Sequence, residues 1–209
     1  DALKKKERHV LRDAIMNGMQ NTAMPKWDHM FSKDDADGMV DWLMDWKDNT
    51  NFKLNIDEIK GTWTKLADRE ELAKKYPNAV DTKSVLDVTF ATERDASFVD
   101  FIDSTNGKVL SRHKAGFAVH VTVTNKQNPR YAYSISRSGR LTMFDIAAPG
   151  QPAIASVQVG FESRGLAVSP DGKYVIAGNY TPGGAVLCDA MTLEPLKAYD
   201  TSAVINTEG

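Results

Sequence analysis

Cysteine is nearly absent from this 209-residue chain. Cys188 stands alone, which excludes an internal disulfide and marks it as a small, buried strand residue. Long apolar runs are missing as well, and no stretch approaches the roughly 18–20 residues of a membrane-spanning helix. Neither charge sign dominates, since 26 Lys and Arg against 28 Asp and Glu leave a net of −2. Nothing therefore calls for nucleic acid or an anionic membrane as partner. A Gly-rich phosphate loop, zinc-ligand spacing and a Ser/His/Asp constellation are also lacking. So is an initiator methionine, and the start in helix-like sequence is expected of a processed or truncated product.

What the chain does have is a repeat. DASFVDFIDSTNGKVL, GRLTMFDIAAPGQPAIASV and GAVLCDAMTLEPLKAY each carry an apolar run, an aspartate, a short turn and a second run. The aspartates are Asp103, Asp145 and Asp189, at steps of 42 and 44 residues, and Gly116 and Gly160 keep the same beat. Units of roughly 40–45 residues with about four short strands each signal β-propeller blades. The dipeptides Asn106-Gly107, Ser138-Gly139, Asp171-Gly172 and Gly183-Gly184 supply hairpin turns between them. From Ser84 onward the pattern predicts antiparallel strands, with two blades complete and a third begun.

The first part differs. Residues 1–47 read as helical: Leu3, Val10, Leu11, Ala14 and Ile15 recur at helical spacing, and Gly18 closes the pattern. A loop containing Met24-Pro25 follows, and then Ser32 and Asp35 form a capping box for a second amphipathic helix. Residues 48–84 read as a polar linker whose charged piece, LADREELAKKY, is a solvated face. Residues 85–209 carry the blades, so the fold class is α plus all-β.

Several residues admit a bland and a functional reading. Met24 is either core filler or a thioether metal ligand. His120, in GFAVHV, is either a structural strand histidine or a channel ligand, because blades turn their first strands toward the channel. Period-two alternation then puts Val119 and Val121 on the face opposite His120. The next blade offers GLAVSP at this place, a serine in the histidine's register. Arg94, Arg137 and Arg164, near blade turns, are surface cations or a ring gripping a polycarboxylate. Tyr180 is an ordinary strand-end residue or part of the same site. His9, His29 and His113 have only the bland reading.

In order along the chain, IMNG and MPKW before the closing helix, then GFAVH, SRSGRL, VGFESR, AGNYTPGG and DAMTLEPLK, resemble the cytochrome cd1 nitrite reductases and their haem d1-handling relatives. The resemblance runs from about residue 9 to residue 200. It implies the C-terminal part of a class I cytochrome c domain followed by the first blades of an eight-bladed propeller, truncated here. On that basis Met24 matches the haem c iron ligand, although the CxxCH that attaches haem c is absent from this chain. His120 matches the haem d1 iron ligand, and Arg94, Arg137, Arg164 and Tyr180 match residues of the cofactor pocket. The catalytic histidines that protonate nitrite are expected downstream of this chain.

The activity so implied is NO-forming nitrite reduction, with electrons passing from haem c to haem d1. The chain alone would be inactive. Partners are nitrite, a small cytochrome c or cupredoxin as electron donor, and a second copy in a homodimer, in the periplasm. Val123 stands where the family commonly has arginine, and NYTPGG is nearer the haem d1 biosynthetic relatives. The alternatives are therefore a dihydro-haem d1 dehydrogenase or haem d1 carrier, and after those a non-catalytic propeller scaffold.

Overall fold

The computed structural model describes residues 7–20, 24–45, 54–77 and 84–201. The chain divides into two compact units, residues 1–51 and 52–209.

In the first unit, helices α1 (Arg8–Asn17) and α2 (Lys33–Asp45) pack together. Leu11 of α1, and Ala36 and Val40 of α2, are buried. Gly18 ends α1 with φ +72°, and a Cβ there would meet the Met24 carbonyl oxygen at 2.7 Å. The glycine is thus required both by its left-handed backbone and by the close return of the loop. That loop is fastened to α1, because Met19 N–H donates to the Met24 carbonyl (3.2 Å) and Trp27 N–H to the Met16 carbonyl (3.2 Å). The capping box is present: Asp35 N–H donates to Ser32 Oγ at 3.1 Å, and Ser32 N–H to Asp35 Oδ2 at 2.9 Å.

The second unit opens with a strap. It comprises α3 (Ile56–Gly61), β1 (Thr64–Lys65) and α4 (Arg69–Lys75), with Asn55 and Asp68 as N-caps. After a 3-10 turn, Val85–Asp87, come β2 (Val88–Glu93), β3 (Phe98–Asp103) and β4 (Val109–Lys114). The next strands are β5 (Val119–Thr124), β6 (Tyr131–Ser136), β7 (Arg140–Asp145) and β8 (Ala153–Gln158). The last are β9 (Glu162–Val168), β10 (Tyr174–Thr181), β11 (Gly184–Asp189) and β12 (Pro195–Asp200). They form three sheets, ordered β2-β3-β4, β1-β8-β7-β6-β5 and β12-β11-β10-β9. Every pairing is antiparallel.

The sheets stack through two apolar layers. Val99, Phe101, Val119, Ala132 and Phe144 lie between the first and second. Tyr133, Ile135, Leu141, Met143, Val175, Val186 and Leu193 lie between the second and third. Alternation along β6 sends Ala132 into one layer and Tyr131, Tyr133 and Ile135 into the other, which is why all six of its residues are buried. Cys188 also lies in the second layer, where burial pushes its thiol up to about 12 and keeps it protonated.

Two expectations change. Two four-stranded sheets are complete, but the incomplete one comes first rather than last. Among the described residues it holds only the counterparts of β6, β7 and β8. The stretch read as a linker, 48–84, is also more than a connection, because residues 54–77 pack on the sheets. Ile59 joins the second apolar layer. Trp63 Nε1 donates to the Thr192 carbonyl (3.1 Å), and β1 adds a fifth strand beside β8. The charged piece is indeed solvated along α4, with no residue buried. Arg130 nonetheless holds its end, donating to the Leu72 carbonyl (3.2 Å) and the Tyr76 carbonyl while paired at 2.7 Å with the fully buried Asp145. A guanidinium at a helix C-terminus satisfies orphan carbonyls and complements the dipole.

The repeat aspartates share one job. Asp103 Oδ1 accepts from Thr105 N–H (2.9 Å), and Asp145 Oδ1 from Ala147 N–H (3.1 Å) and Ala148 N–H (3.2 Å). Asp189 Oδ1 accepts from Met191 N–H (2.7 Å) and Thr192 N–H (2.9 Å). Each carboxylate closes the turn that leaves one of the equivalent strands β3, β7 and β11.

Candidate functional site

The opposite ends of those same strands carry the candidate residues, in two rows. The first row sits in the equivalent hairpins β2–β3, β6–β7 and β10–β11. Arg94 lies in the β2–β3 turn, Arg137 in the β6–β7 turn, and Tyr180 near the end of β10 before the β10–β11 turn. The second row lies in first strands. In β5, Val119 pairs with Ser136 and Val121 with Ile135, so His120 is the extra residue of a β-bulge. In β9, Ser163 pairs with Asn179 and Gly165 with Gly178, so Arg164 is the extra residue of a matching bulge. Bulges re-aim a side chain and recur beside active sites. Both bulged side chains are exposed, on strands that are the outermost of their sheets among the described residues.

The bulge corrects two readings. Val119 and Val121 do not share a face, since Val119 enters the first apolar layer and Val121 packs against the second. The residue in register with His120 is Arg164, not the serine of GLAVSP. Simple alternation fails at an inserted residue, whereas the 44-residue step from Gly116 to Gly160 carries His120 onto Arg164.

Hydrogen bonds tie the rows together. Ser163 N–H donates to the Arg137 carbonyl at 3.1 Å, and Val159 N–H to the Gly139 carbonyl at 2.8 Å. Gly139, at φ +81°, is required here, because any Cβ would collide with the Gly160 carbonyl. Asn179 Nδ2 donates to the Val159 carbonyl (2.7 Å) while its Oδ1 accepts from Ser163 Oγ. One sheet earlier, Ala118 N–H donates to Ser97 Oγ (3.2 Å), which links the Arg94 turn to the entry of β5.

The side chains of Arg137, Arg164 and Tyr180 converge. Arg137 and Arg164 both donate to Glu162 Oε1, at 2.7 and 3.2 Å, and the Arg164 guanidinium lies 5.1 Å from the Tyr180 ring centroid. Hydrogen bonds from Arg137 first, then Arg164, hold the Glu162 carboxyl below its ordinary range. Two guanidiniums sharing one carboxylate oxygen leave further N–H donors for a second anion. Phe117, Phe161 and Tyr180 expose 71, 59 and 65 % of their surface at this end. Arg94 is exposed on the first sheet, so the three arginines come from three successive sheets. Met24 belongs to the other unit, in the loop between α1 and α2, at 36 % exposure.

Glu162 and Asn179 were not singled out from sequence, although both stand inside quoted motifs, VGFESR and AGNYTPGG. A Glu two residues from an Arg stands within reach of it, and that signal could have found Glu162. His113 is more than a surface residue: its ring meets Phe101 and Phe144 at 5.7 and 5.6 Å, and Nε2 lies 2.7 Å from the Gly150 carbonyl. A cavity of about 350 Å³ beside the strap, lined by Trp63, Arg69 and Met191 among others, includes none of the site residues.

The family profile described as Cytochrome D1 heme domain matches residues 83–208. A nitrite reductase of Stutzerimonas stutzeri is 27% identical over 195 residues, 91% of this chain and 34% of that protein. A dihydro-heme d1 dehydrogenase of Pseudomonas aeruginosa is 32% identical over 108 residues, 52% of this chain and 22% of its own length. Protein NirF of Stutzerimonas stutzeri is 35% identical over 109 residues, 52% of this chain and 27% of its own. The chain therefore spans about a third of the nitrite reductase it matches. Among solved structures, dihydro-heme d1 dehydrogenase NirN in complex with DHE superposes with a TM-score of 0.71 at 24% identity. That match covers 95% of this chain and 41% of the other.

Proposed function

This chain belongs to the Cytochrome D1 heme domain family, and from that premise we propose that it is part of a cytochrome cd1-type nitrite reductase whose hairpin-and-bulge end binds haem d1. The observation that supports this reading best is the matched pair of bulges, which present an imidazole and a guanidinium from adjacent first strands. The residues present fit a polycarboxylate haem. Arg94, Arg137 and Arg164 offer donors to carboxylates, Tyr180 and its aromatic neighbours offer apolar area, and exposed His120 offers a ring nitrogen to iron.

Bound haem d1 would supply the redox-active iron at which nitrite takes one electron and two protons to give nitric oxide and water. The part of this chain is to bind and orient. His120 would coordinate through a neutral nitrogen, and the arginines would fix the macrocycle and add positive potential for an anionic substrate. The proton donors are proposed to lie on other segments of the full-length protein. Met24 would ligate haem c iron from the loop that Gly18 and the Met19 hydrogen bond shape. Its replacement by alanine in the full-length protein should then abolish the sulfur-to-iron absorption band of ferric haem c. A periplasmic homodimer fed by a small cytochrome c or cupredoxin completes the proposal.

A second reading, oxidation of dihydro-haem d1 during cofactor synthesis or carriage of haem d1, is favoured by NYTPGG and by the higher identity, over about half of the chain, to a dihydro-heme d1 dehydrogenase and Protein NirF. Assaying the full-length protein separately with nitrite plus reductant and with dihydro-haem d1 decides between them. Nitric oxide formation supports the reductase. Oxidation of dihydro-haem d1 without nitric oxide supports a dehydrogenase; neither activity leaves haem d1 carriage, if haem d1 is retained, or a propeller scaffold, if it is not.

A further inference from the structure

Phe117 and Phe161 occupy the same place in successive repeats, each directly after the glycine that precedes a first strand. Their exposure, 71 and 59 %, is unusual for phenylalanine beside a packed interior. Their backbones are fixed to the candidate site. Ser138 N–H donates to the Phe117 carbonyl (3.4 Å), Arg137 N–H to the Ala118 carbonyl (3.0 Å), and Phe161 N–H to the Thr181 carbonyl (2.9 Å). Ala118, next to Phe117, holds φ +51°. Side chains rarely adopt that conformation, and such strain persists where the surroundings over-determine it. The chain thus places two largely exposed aromatic side chains beside the hairpin of Arg137 and the bulge of Arg164.

We infer that Phe117 and Phe161 form a ledge that contacts the face of a planar, conjugated ring system whose edge carboxylates pair with Arg137 and Arg164. The inference rests on the haem d1 reading and adds to it the residues that select for a flat macrocycle. Guanidiniums alone would accept any polyanion of suitable span. An aromatic ledge rewards only a ligand that presents a broad apolar face between its charges. Charge and face are then read by different side chains, and their contributions separate with salt, which screens the first and spares the second.

The test is a fluorescence titration of the chain with coproporphyrin III, a metal-free tetracarboxylate macrocycle, across a range of ionic strength. F117A/F161A should bind roughly tenfold more weakly than the unaltered chain with the same salt slope. F117L/F161L, which keeps apolar bulk and protects against misfolding, should lie between them. R137Q/R164Q should weaken binding and flatten the slope. Unchanged affinity in both phenylalanine variants would overturn the ledge while leaving the carboxylate site standing. A flattened salt slope in them would also overturn it, because the side chains would then only be supporting the arginine hairpins. Failure of the unaltered chain to bind the probe would instead remove the haem reading on which the ledge rests.

Discussion

Strands β3, β7 and β11 have two ends that treat charge in opposite ways. At one end Asp103, Asp145 and Asp189 are spent on turn N–H groups, and Asp145 is fully buried with Arg130 beside it. At the other end Arg94 and Arg164 stay exposed, and Arg137 and Arg164 share one oxygen of Glu162. The repeat period is common to both ends. What differs is whether the polar groups are consumed by the fold or left with donors to spare. A repeated charge is therefore not in itself a sign of function. Its hydrogen-bond satisfaction separates scaffold from site.

The largest expected effect comes from breaking the scaffold end. Asp145→Ala should lower unfolding stability by about 3 kcal/mol, because it leaves the partly buried Arg130 with carbonyl partners only and opens the turn. Arg164→Gln at the other end should change stability by no more than about 0.5 kcal/mol. Urea denaturation of both variants checks the contrast, and comparable losses would erase it.

Gly139→Ala should fall between them, at roughly 1–3 kcal/mol, since a Cβ collides with the Gly160 carbonyl and the backbone is left-handed. It should also disturb the Arg137 hairpin. Amide shifts at Arg137 and Ser163 report that movement, and an unperturbed spectrum would contradict the packing described.

The smallest effect is electrostatic. The Asp103 and Glu162 carboxyls both titrate below their ordinary values, Asp103 through the Thr105 hydroxyl first and Glu162 through Arg137 first. Both depressions contribute stability above the unfolded values of about 4 that is lost as pH falls through the folded ones. Raising the salt should move the Glu162 titration back toward its ordinary value and leave that of Asp103 nearly fixed, because an exposed ion pair is screened and a neutral hydrogen bond is not. Side-chain NMR titration at two ionic strengths measures this directly.

Much of the fold could be read from the chain. The 42- and 44-residue steps, the turn glycines and the Ser32–Asp35 capping box are local signals, and local hydrogen bonds produce them. The strap could not be read so easily. Its anchors, Trp63 on Thr192 and Arg130 on Leu72 and Tyr76, join residues far apart in sequence, and α4 itself buries nothing. At the site, sequence supplied His120 and the arginines but misread their geometry. The 44-residue step from Gly116 to Gly160 already carries His120 onto Arg164, but that both are bulged residues is visible only in the pairing of β5 and β9.

The central claim, that the bulged end of these sheets holds haem d1 iron through His120, is tested most directly by spectroscopy. The chain and its His120→Ala variant would be reconstituted with ferric haem d1 and their absorption and magnetic circular dichroism spectra compared. A histidine-ligated spectrum that is lost in the variant and restored by added imidazole is the expected result. An unaltered spectrum in His120→Ala would contradict the claim and place the iron ligand elsewhere.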